Sequence, residues 1–466
     1  MRTPYAKRGL TDEFGDNRLC RRFDKVCALL EDSLESTIPE AAGTKSEIKA
    51  MYRFFDNKSV EPKKLIAAHR TGFASGLSSA VGGRFLQLSD TVELDFTGKK
   101  GGKKLGPMNY LNRRGLYLHN SLIINTKGVP VGLLRQSYVV RRDEYFGHAA
   151  ERKALPFEEK ESHRWKEHFL EGQALCEECP GLEGVFIADR EADIMELFHA
   201  HTCDRMHLVV RSRHDRKLAD GLGNLYGHLS AQPTKGGYRT TVLHPDLKKE
   251  REVDLEVRFC RVDLKLHKAL PVKRGLPSVA LYAVEAREVG PPPDIKDPVH
   301  WVLLTTLPVE DLEQALEVIG YYVLRWLIER FHYLLKSGGA GVEELQLHEP
   351  RRLQNAITAY SIAALNVFKI RYWAEKSPET DIYQAGITEV EHRVLYTYAG
   401  QRIDSKVSFN PDKPPTVEHF CVILGQLGGF LPSKRQPLPG LKILSRAIQK
   451  LNAMVDAYLI LCQRTE

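Results

Sequence analysis

Residues 85–96 read Phe-Leu-Gln-Leu-Ser-Asp-Thr-Val-Glu-Leu-Asp-Phe, and this stretch predicts the strand on which the fold is built. Alternate side chains of a strand lie on the same face, so Asp90 shares an apolar face with Leu86 and Leu88. An ionised carboxylate on such a face costs several kcal/mol unless it is paired or bound to a metal. Asp90 is therefore either half of a structural salt bridge or a metal ligand.

The chain on both sides of this strand alternates between helical and β patterns. The first 65 or so residues carry apolar side chains at helical spacing, and that spacing returns at about 159–176. A long helix is predicted from about Leu312 to Lys336, and the remainder is mostly helical. Further strands are predicted at residues 115–125, 129–140, 184–188 and, with interruptions, 237–308. This order predicts an α/β fold with a sheet at its centre.

Length and composition describe an ordinary globular chain. Its 466 residues are 42% hydrophobic, which is enough for a large core and two or three structural units. No apolar run approaches the roughly 20 residues needed to cross a bilayer, and the N-terminus lacks the apolar core of a signal peptide. We therefore expect a cytoplasmic protein. Of the eight cysteines only Cys176 and Cys179 form a CxxC pair, so we expect reduced thiols rather than a zinc site.

Positive charge is unevenly distributed, although the formal net charge is only +7. No residue between Asp95 and Asp143 is acidic, whereas the stretch contains the cations Lys99, Lys100, Lys103, Lys104, Arg113, Arg114, Lys127, Arg135, Arg141 and Arg142. A second cluster consists of Arg205, Arg211, Arg213, Arg216 and Lys217. Unopposed positive charge of this kind favours binding to a phosphate backbone, with a solvated surface as the alternative.

Asp189 follows the predicted strand 184–188 and precedes the opening of a predicted helix. Acidic residues suit a helix N-terminus through capping and the helix dipole, which accounts for Glu191 and Asp193. Ligands, however, collect at the carboxyl ends of strands in α/β sheets. Asp189 is therefore either a helix cap or part of a binding site.

The predicted long helix carries polar side chains along one side. At about 100° per residue, Tyr322, Arg325, Glu329 and Lys336 fall within roughly 60° of one another. The alternative is an ordinary surface pair between Arg325 and Glu329, which would contribute only tenths of a kcal/mol. Two or three carboxylates brought together would instead bind Mg²⁺ ions about 4 Å apart for phosphodiester cleavage, and the neighbouring cations would bind phosphates.

These motifs together resemble the bacterial insertion-sequence transposases that have a DDE triad and a Tyr-Arg-Glu-Lys signature. The strongest part of the resemblance is Tyr322-x2-Arg325-x3-Glu329-x6-Lys336 after both aspartates in order. The other matching segments are Phe14 to Arg18, Tyr52 to Phe55, Asp90-Thr91, Asp189 to Ile194, Val209 to Ser212, Trp301 to Thr305 and Gly428 to Leu431. The resemblance covers nearly the whole chain.

The resemblance implies a fold and a set of site residues. The fold would be an RNase H-like catalytic core at 66–372 with a β insertion at about 237–308, flanked by an N-terminal helical DNA-binding domain at 1–65 and a C-terminal helical dimerisation domain at 373–466. Asp90, Asp189 and Glu329 would bind two Mg²⁺ ions, which Mn²⁺ could replace. The residues implied to contact DNA are Tyr322, Arg325 and Lys336 on a phosphate beside a flipped base, Trp301 stacked on that base, and Arg211.

The implied activity is cut-and-paste transposition. A homodimer would bind terminal inverted repeats in a synaptic complex, excise the element through a DNA hairpin and join its 3′ ends to target DNA in the bacterial nucleoid. Two alternatives remain, namely a structure-specific nuclease on the same core and a non-catalytic DNA-binding relative. The signature helix disfavours the first, and the presence of the N-terminal module and an intact triad disfavours the second.

Overall fold

A computed structural model of the chain contains a ten-stranded sheet that combines parallel and antiparallel strand pairs. It describes residues 12–74, 76–110, 112–148, 151, 154–201, 203–219, 221–243, 250–265, 278–293 and 295–463. The N-terminal segment without a signal-peptide core lies outside the described residues, as do 244–249 and 266–277 of the predicted β insertion. The predicted mixed α/β class is confirmed. Within the described ranges no helix is both long and apolar enough to cross a membrane.

The strands in chain order are β1 (Arg84–Asp95), β2 (Gly106–Pro107), β3 (Arg114–Asn125), β4 (Pro130–Val139), β5 (Glu183–Ala188), β6 (Met206–Arg211), β7 (Gly236–Leu243), β8 (Glu250–Lys265), β9 (Ser278–Glu288) and β10 (His300–Thr305). The α-helices are α1 (Asn17–Asp32), α2 (Ile38–Ala42), α3 (Lys45–Asp56), α4 (Pro62–Ala74), α5 (Leu77–Val81), α6 (His163–Glu178), α7 (Met195–Ala200), α8 (Leu225–Ser230), α9 (Leu312–Leu324), α10 (Trp326–Lys336), α11 (Pro350–Lys376), α12 (Glu389–Arg402), α13 (Val417–Leu427) and α14 (Leu441–Gln463).

Backbone contacts group the chain into two compact units. The first unit contains Met1–Gly82, Thr91–Ala154 and Leu327–Glu466. The second contains Gly83–Asp90 and Leu155–Trp326. Strand β1 therefore contributes its amino-terminal half to the second unit and its carboxyl-terminal half to the first.

The amino-terminal helices of the first unit are defined by capping residues and a shared aromatic core. Thr37 and Glu40 form a capping box at the start of α2, and the Thr44 side chain caps α3. Phe23 of α1 stacks on Phe54 of α3 with ring centroids 6.5 Å apart, and both rings are buried. Each such buried side chain contributes about 1.5–3 kcal/mol, so packing rather than helix propensity holds this module together.

The sheet of the first unit has the order β2-β3-β1, with β4 paired to the other edge of β3. Asn125 stabilises the turn between β3 and β4, because its Oδ1 accepts from the backbone N–H groups of Lys127 and Val129, at 3.0 and 2.9 Å. Gly128 completes the turn with φ of 93°, a conformation that favours glycine. Ten of the twelve residues of β3 are buried, so both of its faces are covered.

The sheet of the second unit has the order β1-β5-β6-β10-β9-β8-β7. Strands β1, β5 and β6 are parallel, and the remaining pairs are antiparallel. Val185, Phe186 and Ile187 of β5 are fully buried, as expected for a parallel strand covered on both faces. Helix α6 covers one face, where Phe169 meets Phe186 edge to face at 5.7 Å.

The long helix predicted from Leu312 to Lys336 is two helices that meet at Arg325. The backbone N–H of Arg325 donates to the carbonyl of Tyr322, three residues earlier, at 3.0 Å. This bond tightens the turn from the α-helical to the 3₁₀ pattern. Arg325 nevertheless keeps helical dihedral angles, φ −52° and ψ −32°, so the chain continues in the same helical sense. The single-helix prediction was wrong because it rested on side-chain periodicity, which does not detect a local change in backbone bonding.

Candidate active site

Asp90, Asp189 and Arg211 lie on or directly after neighbouring parallel strands of the second unit: Asp189 follows β5, Arg211 ends β6, and Asp90 is midway along β1. The β1–β5 ladder ends at the pair Leu88–Ile187, and its register continued by two residues leads to Asp90 and Asp189. Ala188 pairs with Val210 of β6, so Arg211 follows as the next neighbour of Asp189. Adjacent strands are about 4.8 Å apart, and paired residues of parallel strands project to the same face. The edge therefore presents two carboxylates and a guanidinium on one side of the sheet, where α/β sheets bind their ligands.

Asp90 is half-buried and pairs with Arg325. Its Oδ2 lies 3.4 Å from Arg325 Nη1, and the two side chains are 17% and 16% exposed. This distance exceeds the roughly 2.7–2.9 Å of a strong charge-assisted hydrogen bond. The predicted apolar face is confirmed for the first half of the strand, where Leu86 and Leu88 are fully buried, but Val92 beyond Asp90 is half-buried. A salt bridge is thus present at Asp90, and it is a loose one.

Asp189 combines a capping role with an available oxygen. Its Oδ1 accepts from the backbone N–H of Glu191 at 2.9 Å and caps a 3₁₀ turn over Arg190–Ala192. Among the described residues none donates a hydrogen bond to Oδ2, although the side chain is half-buried. A carboxylate oxygen at a strand end with no protein partner is suited to bind a hard cation such as Mg²⁺.

Of the two predicted helix-terminus residues, Glu191 lies in the first turn of the 3₁₀ helix Arg190–Ala192, as predicted, whereas Asp193 does not have the predicted role. Glu191 forms an ion pair with Arg164 at 3.0 Å. Asp193 does not cap α7. Its side chain is buried and pairs with Arg216 at 2.6 Å, because the segment after β6 folds back over it. Sequence reasoning missed this pair, since the partners lie 23 positions apart and no local pattern links them.

The predicted DNA-contact residues of the second unit form one cluster. Trp301 and Tyr322 meet edge to face with ring centroids 5.5 Å apart and planes inclined at 66°. The Arg325 guanidinium lies 5.8 Å from the centre of the Tyr322 ring. Arg211 Nη2 donates to the carbonyl of His300, the residue before Trp301, at 3.0 Å. Tyr322 is buried, so it does not extend the exposed polar side of the helix that its spacing predicted.

Glu329 and Lys336 belong to the first unit. Glu329 is half-buried and follows Arg325 by four residues, one turn of the helical path. Lys336 Nζ donates to the Glu93 carbonyl at 3.0 Å and lies 3.1 Å from Glu343 Oε1. Across the described residues, no group of three or more His, Cys, Asp or Glu side chains converges closely enough to hold a metal ion. Asp90 and Asp189 thus lie in the second unit on neighbouring strands, whereas Glu329 belongs to the first unit.

At least five of the ten cations between Asp95 and Asp143 form ion pairs, so the predicted unopposed charge is reduced but not removed. Arg114 forms an ion pair with Asp143, Lys99 lies 2.9 Å from Glu344, and Lys104 pairs with Glu349. Two of these carboxylates lie about 245 positions further along the chain, so the fold supplies counter-charges that the local sequence lacks. In the second cluster Arg216 is neutralised by Asp193, whereas Arg213 and Lys217 are exposed.

A basic face that sequence analysis missed lies on α3 in the first unit. Lys45, Lys49 and Arg53 recur every four residues and are exposed, and no described residue pairs with any of the three. With Ile48, Tyr52, Asp56 and Arg352 they line a groove of about 460 Å³. The cations of α1 differ, since Arg22 and Lys25 each lie 2.6 Å from Glu47. The i, i+4, i+8 spacing of the three cations was a signal that could have identified this face.

Comparisons with known proteins give two family matches and a similar structure. The family model described as Transposase DNA-binding matches residues 7–60, and the one described as Transposase DDE domain matches residues 167–367. Among solved structures, the chain is similar to a piggyBac transposase in a synaptic complex with hairpin DNA, at 11% sequence identity and a TM-score of 0.35. The alignment covers 68% of this chain and 52% of the other, so the chain spans about half the length of that relative.

Proposed function

We propose that this chain, which matches the Transposase DNA-binding model over residues 7–60 and the Transposase DDE domain model over residues 167–367, is a DDE transposase that moves a DNA element by cut and paste. The element is bounded by terminal inverted repeats, and the enzyme is of the bacterial insertion-sequence type with the Tyr-Arg-Glu-Lys signature. It works on DNA in the bacterial cytoplasm, at the nucleoid. The observation that carries the proposal is that the registers of β1, β5 and β6, continued past their last pairs, lead to Asp90, Asp189 and Arg211 on three neighbouring parallel strands.

Asp90, Asp189 and Glu329 are the proposed ligands of two Mg²⁺ ions, which Mn²⁺ replaces. The aspartates fit this role because they are register neighbours on one face and because Asp189 Oδ2 has no donor among the described residues. When bound, the ions would lower the pKa of a coordinated water and stabilise negative charge on the leaving oxygen. Glu329 is assigned as the third ligand because it is the glutamate of the Tyr322-x2-Arg325-x3-Glu329-x6-Lys336 signature.

The side chains around the carboxylates bind and orient one end of the element. Arg211 and Arg325 hold the phosphate next to the cleaved bond, since a guanidinium matches phosphate oxygens in a bidentate manner. The half-buried ring of Trp301 stacks on an unstacked base, and Tyr322 packs edge to face against the Trp301 ring. Lys336 is the proposed fourth contact on the DNA backbone.

The remainder of the chain selects and pairs the DNA ends. We assign 1–65 to recognition of the inverted repeat, with the exposed cations Lys45, Lys49 and Arg53 against its backbone. Residues 66–372 form the RNase H-like catalytic core with its β insertion at about 237–308. The helical domain at 373–466 joins two protomers into the synaptic complex, and its exposed Leu459, Ile460 and Leu461 provide apolar surface for that contact.

The proposed reaction consists of successive phosphoryl transfers. Water attacks the phosphodiester bond at each element end and releases a 3′-hydroxyl. That hydroxyl attacks the opposite strand to close a hairpin, a second water reopens the hairpin, and the freed 3′-hydroxyls attack target DNA. Every step exchanges one P–O bond for another, so neither a redox partner nor a covalent enzyme intermediate is required.

The test uses a DNA fragment that ends in the inverted repeats flanking the gene, incubated with Mg²⁺ and wild type, Glu329→Gln or Glu317→Gln. Glu317 is the matched control, because it lies on α9 and binds Arg84 at 3.1 Å, away from the proposed ligands. We expect hairpins and excised ends from wild type and Glu317→Gln. Glu329→Gln should fall below about 1% of wild type, since even the partners that orient metal ligands are worth 10–100-fold.

Three other results would contradict parts of the proposal. Binding without cleavage by the wild-type protein would indicate a DNA-binding regulator. Cleavage without hairpins or joined products would indicate a structure-specific nuclease. Equal cleavage by wild type and Glu329→Gln would remove Glu329 from the site.

A further inference from the structure

Asp193 organises the segment that follows β6. Its side chain is fully buried, and Oδ1 accepts from Arg216 Nε and Nη2 at 2.9 and 2.6 Å. Oδ2 accepts from the backbone N–H groups of Arg213 and His214 at 2.7 and 3.0 Å. The Asp193 carbonyl accepts a third bond from Arg216, at 2.6 Å. One buried carboxylate therefore fixes residues 211–217, here named the basic loop, through both its main chain and a side chain.

The basic loop starts beside a proposed metal ligand. The register of β5 and β6 places Arg211 next to Asp189, and Asp193 follows Asp189 by four residues. The loop is therefore anchored to the same short segment that carries the carboxylate. A displacement of Asp193 would move the loop relative to Asp189.

The exposed charges of the basic loop point to an anionic partner. Arg213 and Lys217 are exposed, and no side chain in the described ranges pairs with either. The loop's own carboxylate, Asp215, accepts from the Tyr226 N–H at 2.8 Å and from Asn224 Nδ2 at 3.2 Å, and among the described residues it forms no ion pair with Arg213 or Lys217. Two cations held in a fixed conformation without a protein counter-charge suit a phosphate backbone.

We propose that Asp193 is a positioning residue, which holds the basic loop so that Arg213 and Lys217 bind backbone phosphates of the DNA strand that enters beside Asp189. Asp193 touches neither DNA nor a metal ion in this arrangement. It acts through Arg216 and through the loop amides. The inference rests on the proposed function, because it requires DNA to be the substrate of this edge of the sheet.

Glu288 provides a matched comparison within the same unit. It is also a buried carboxylate, 3% exposed, and it binds Arg251 through two contacts of 2.5 and 2.8 Å. It joins β8 to β9 and anchors no exposed basic segment. Glu288→Gln retains an oxygen that can accept from the Val299 N–H, so it removes the ion pair with little other change. Loss of either carboxylate should lower stability, but only loss of Asp193 should change DNA binding.

The experiment measures the dissociation constant for duplex DNA carrying one element end at several salt concentrations. The proteins are wild type, Asp193→Asn, Glu288→Gln, the double variant Arg213→Gln/Lys217→Gln, and that double variant combined with Asp193→Asn. Two lost phosphate contacts lower the slope of log affinity against log salt by about 1.8. We expect this change in Asp193→Asn and in the double variant, and no further change when the two are combined. Glu288→Gln should keep the wild-type slope.

Each departure from this pattern has a defined meaning. A wild-type slope in Asp193→Asn, accompanied by a lower melting temperature, would overturn the inference and leave Asp193 a structural residue. If Asp193→Asn does not fold, a wild-type slope in the Arg213→Gln/Lys217→Gln variant overturns the inference on its own. Failure of the wild-type protein to bind the element end would instead refute the proposed function.

Discussion

Removal of the α3 cations provides a quantitative test of where the N-terminal module contacts DNA. Lys45, Lys49 and Arg53 are exposed and unpaired within the described residues, so each should release one counterion equivalent when it binds a phosphate. At a slope of about 0.9 per contact, replacing all three by Gln lowers the salt slope by about 2.7. Wild type should therefore lose roughly 40-fold more affinity than the triple variant between about 50 and 200 mM salt.

Fluorescence anisotropy with a labelled element end measures this slope directly. Gln has a helix propensity similar to that of Lys and Arg, so α3 should remain folded, and circular dichroism checks this. The control is Arg22→Gln/Lys25→Gln, because Glu47 already lies 2.6 Å from both of those cations. Its slope should remain near wild type. A triple variant with an unchanged slope, or a control that falls equally, would refute the assignment of this helix face.

Two further predictions concern metal and pH. Chelation of divalent ions with EDTA should abolish cleavage but leave binding of the element end, because the α3 cations contact DNA without a metal. Loss of binding on chelation would show that binding also depends on the metal and would contradict the prediction. The ion pair with Arg251 holds the pKa of Glu288 below its usual value of 4.5. This ion pair therefore stabilises the folded protein fully above pH 4.5, and the stabilisation is lost as the pH falls through the pKa that Glu288 has in the folded state. The urea midpoint of wild type should therefore fall more steeply below pH 4.5 than that of Glu288→Gln, and parallel curves would show that this pair contributes nothing to acid sensitivity.

Much of the fold followed from local patterns. The alternation in residues 85–96 predicted β1, and the apolar run 184–188 predicted β5 almost to the residue. Both predictions depend only on the order of apolar and polar side chains along a few neighbouring residues. The break at Arg325 was not predicted, because a shift from an i−4 to an i−3 hydrogen bond leaves the pattern of apolar side chains unchanged.

The arrangement of the candidate site could not be predicted from the sequence, for a different reason. Asp90 and Asp189 were singled out separately by their positions in strands, but their adjacency depends on the register of β1 and β5, which lie about 100 positions apart. The same holds for Lys99 and Lys104, whose counter-charges come from the segment after α10. Pairings over such distances are set by tertiary packing, and a single sequence contains no local signal for them.

The hydrogen bonds between Asp193 and the basic loop have a consequence for the substitutions that the loop can accept. Two of the hydrogen bonds that join Asp193 to the loop come from the main-chain amides of residues 213 and 214, which every amino acid except proline possesses. The identity of those two side chains is therefore decoupled from the path of the loop. Substitutions at these two positions can therefore change the affinity for DNA while the main chain of the loop keeps its conformation.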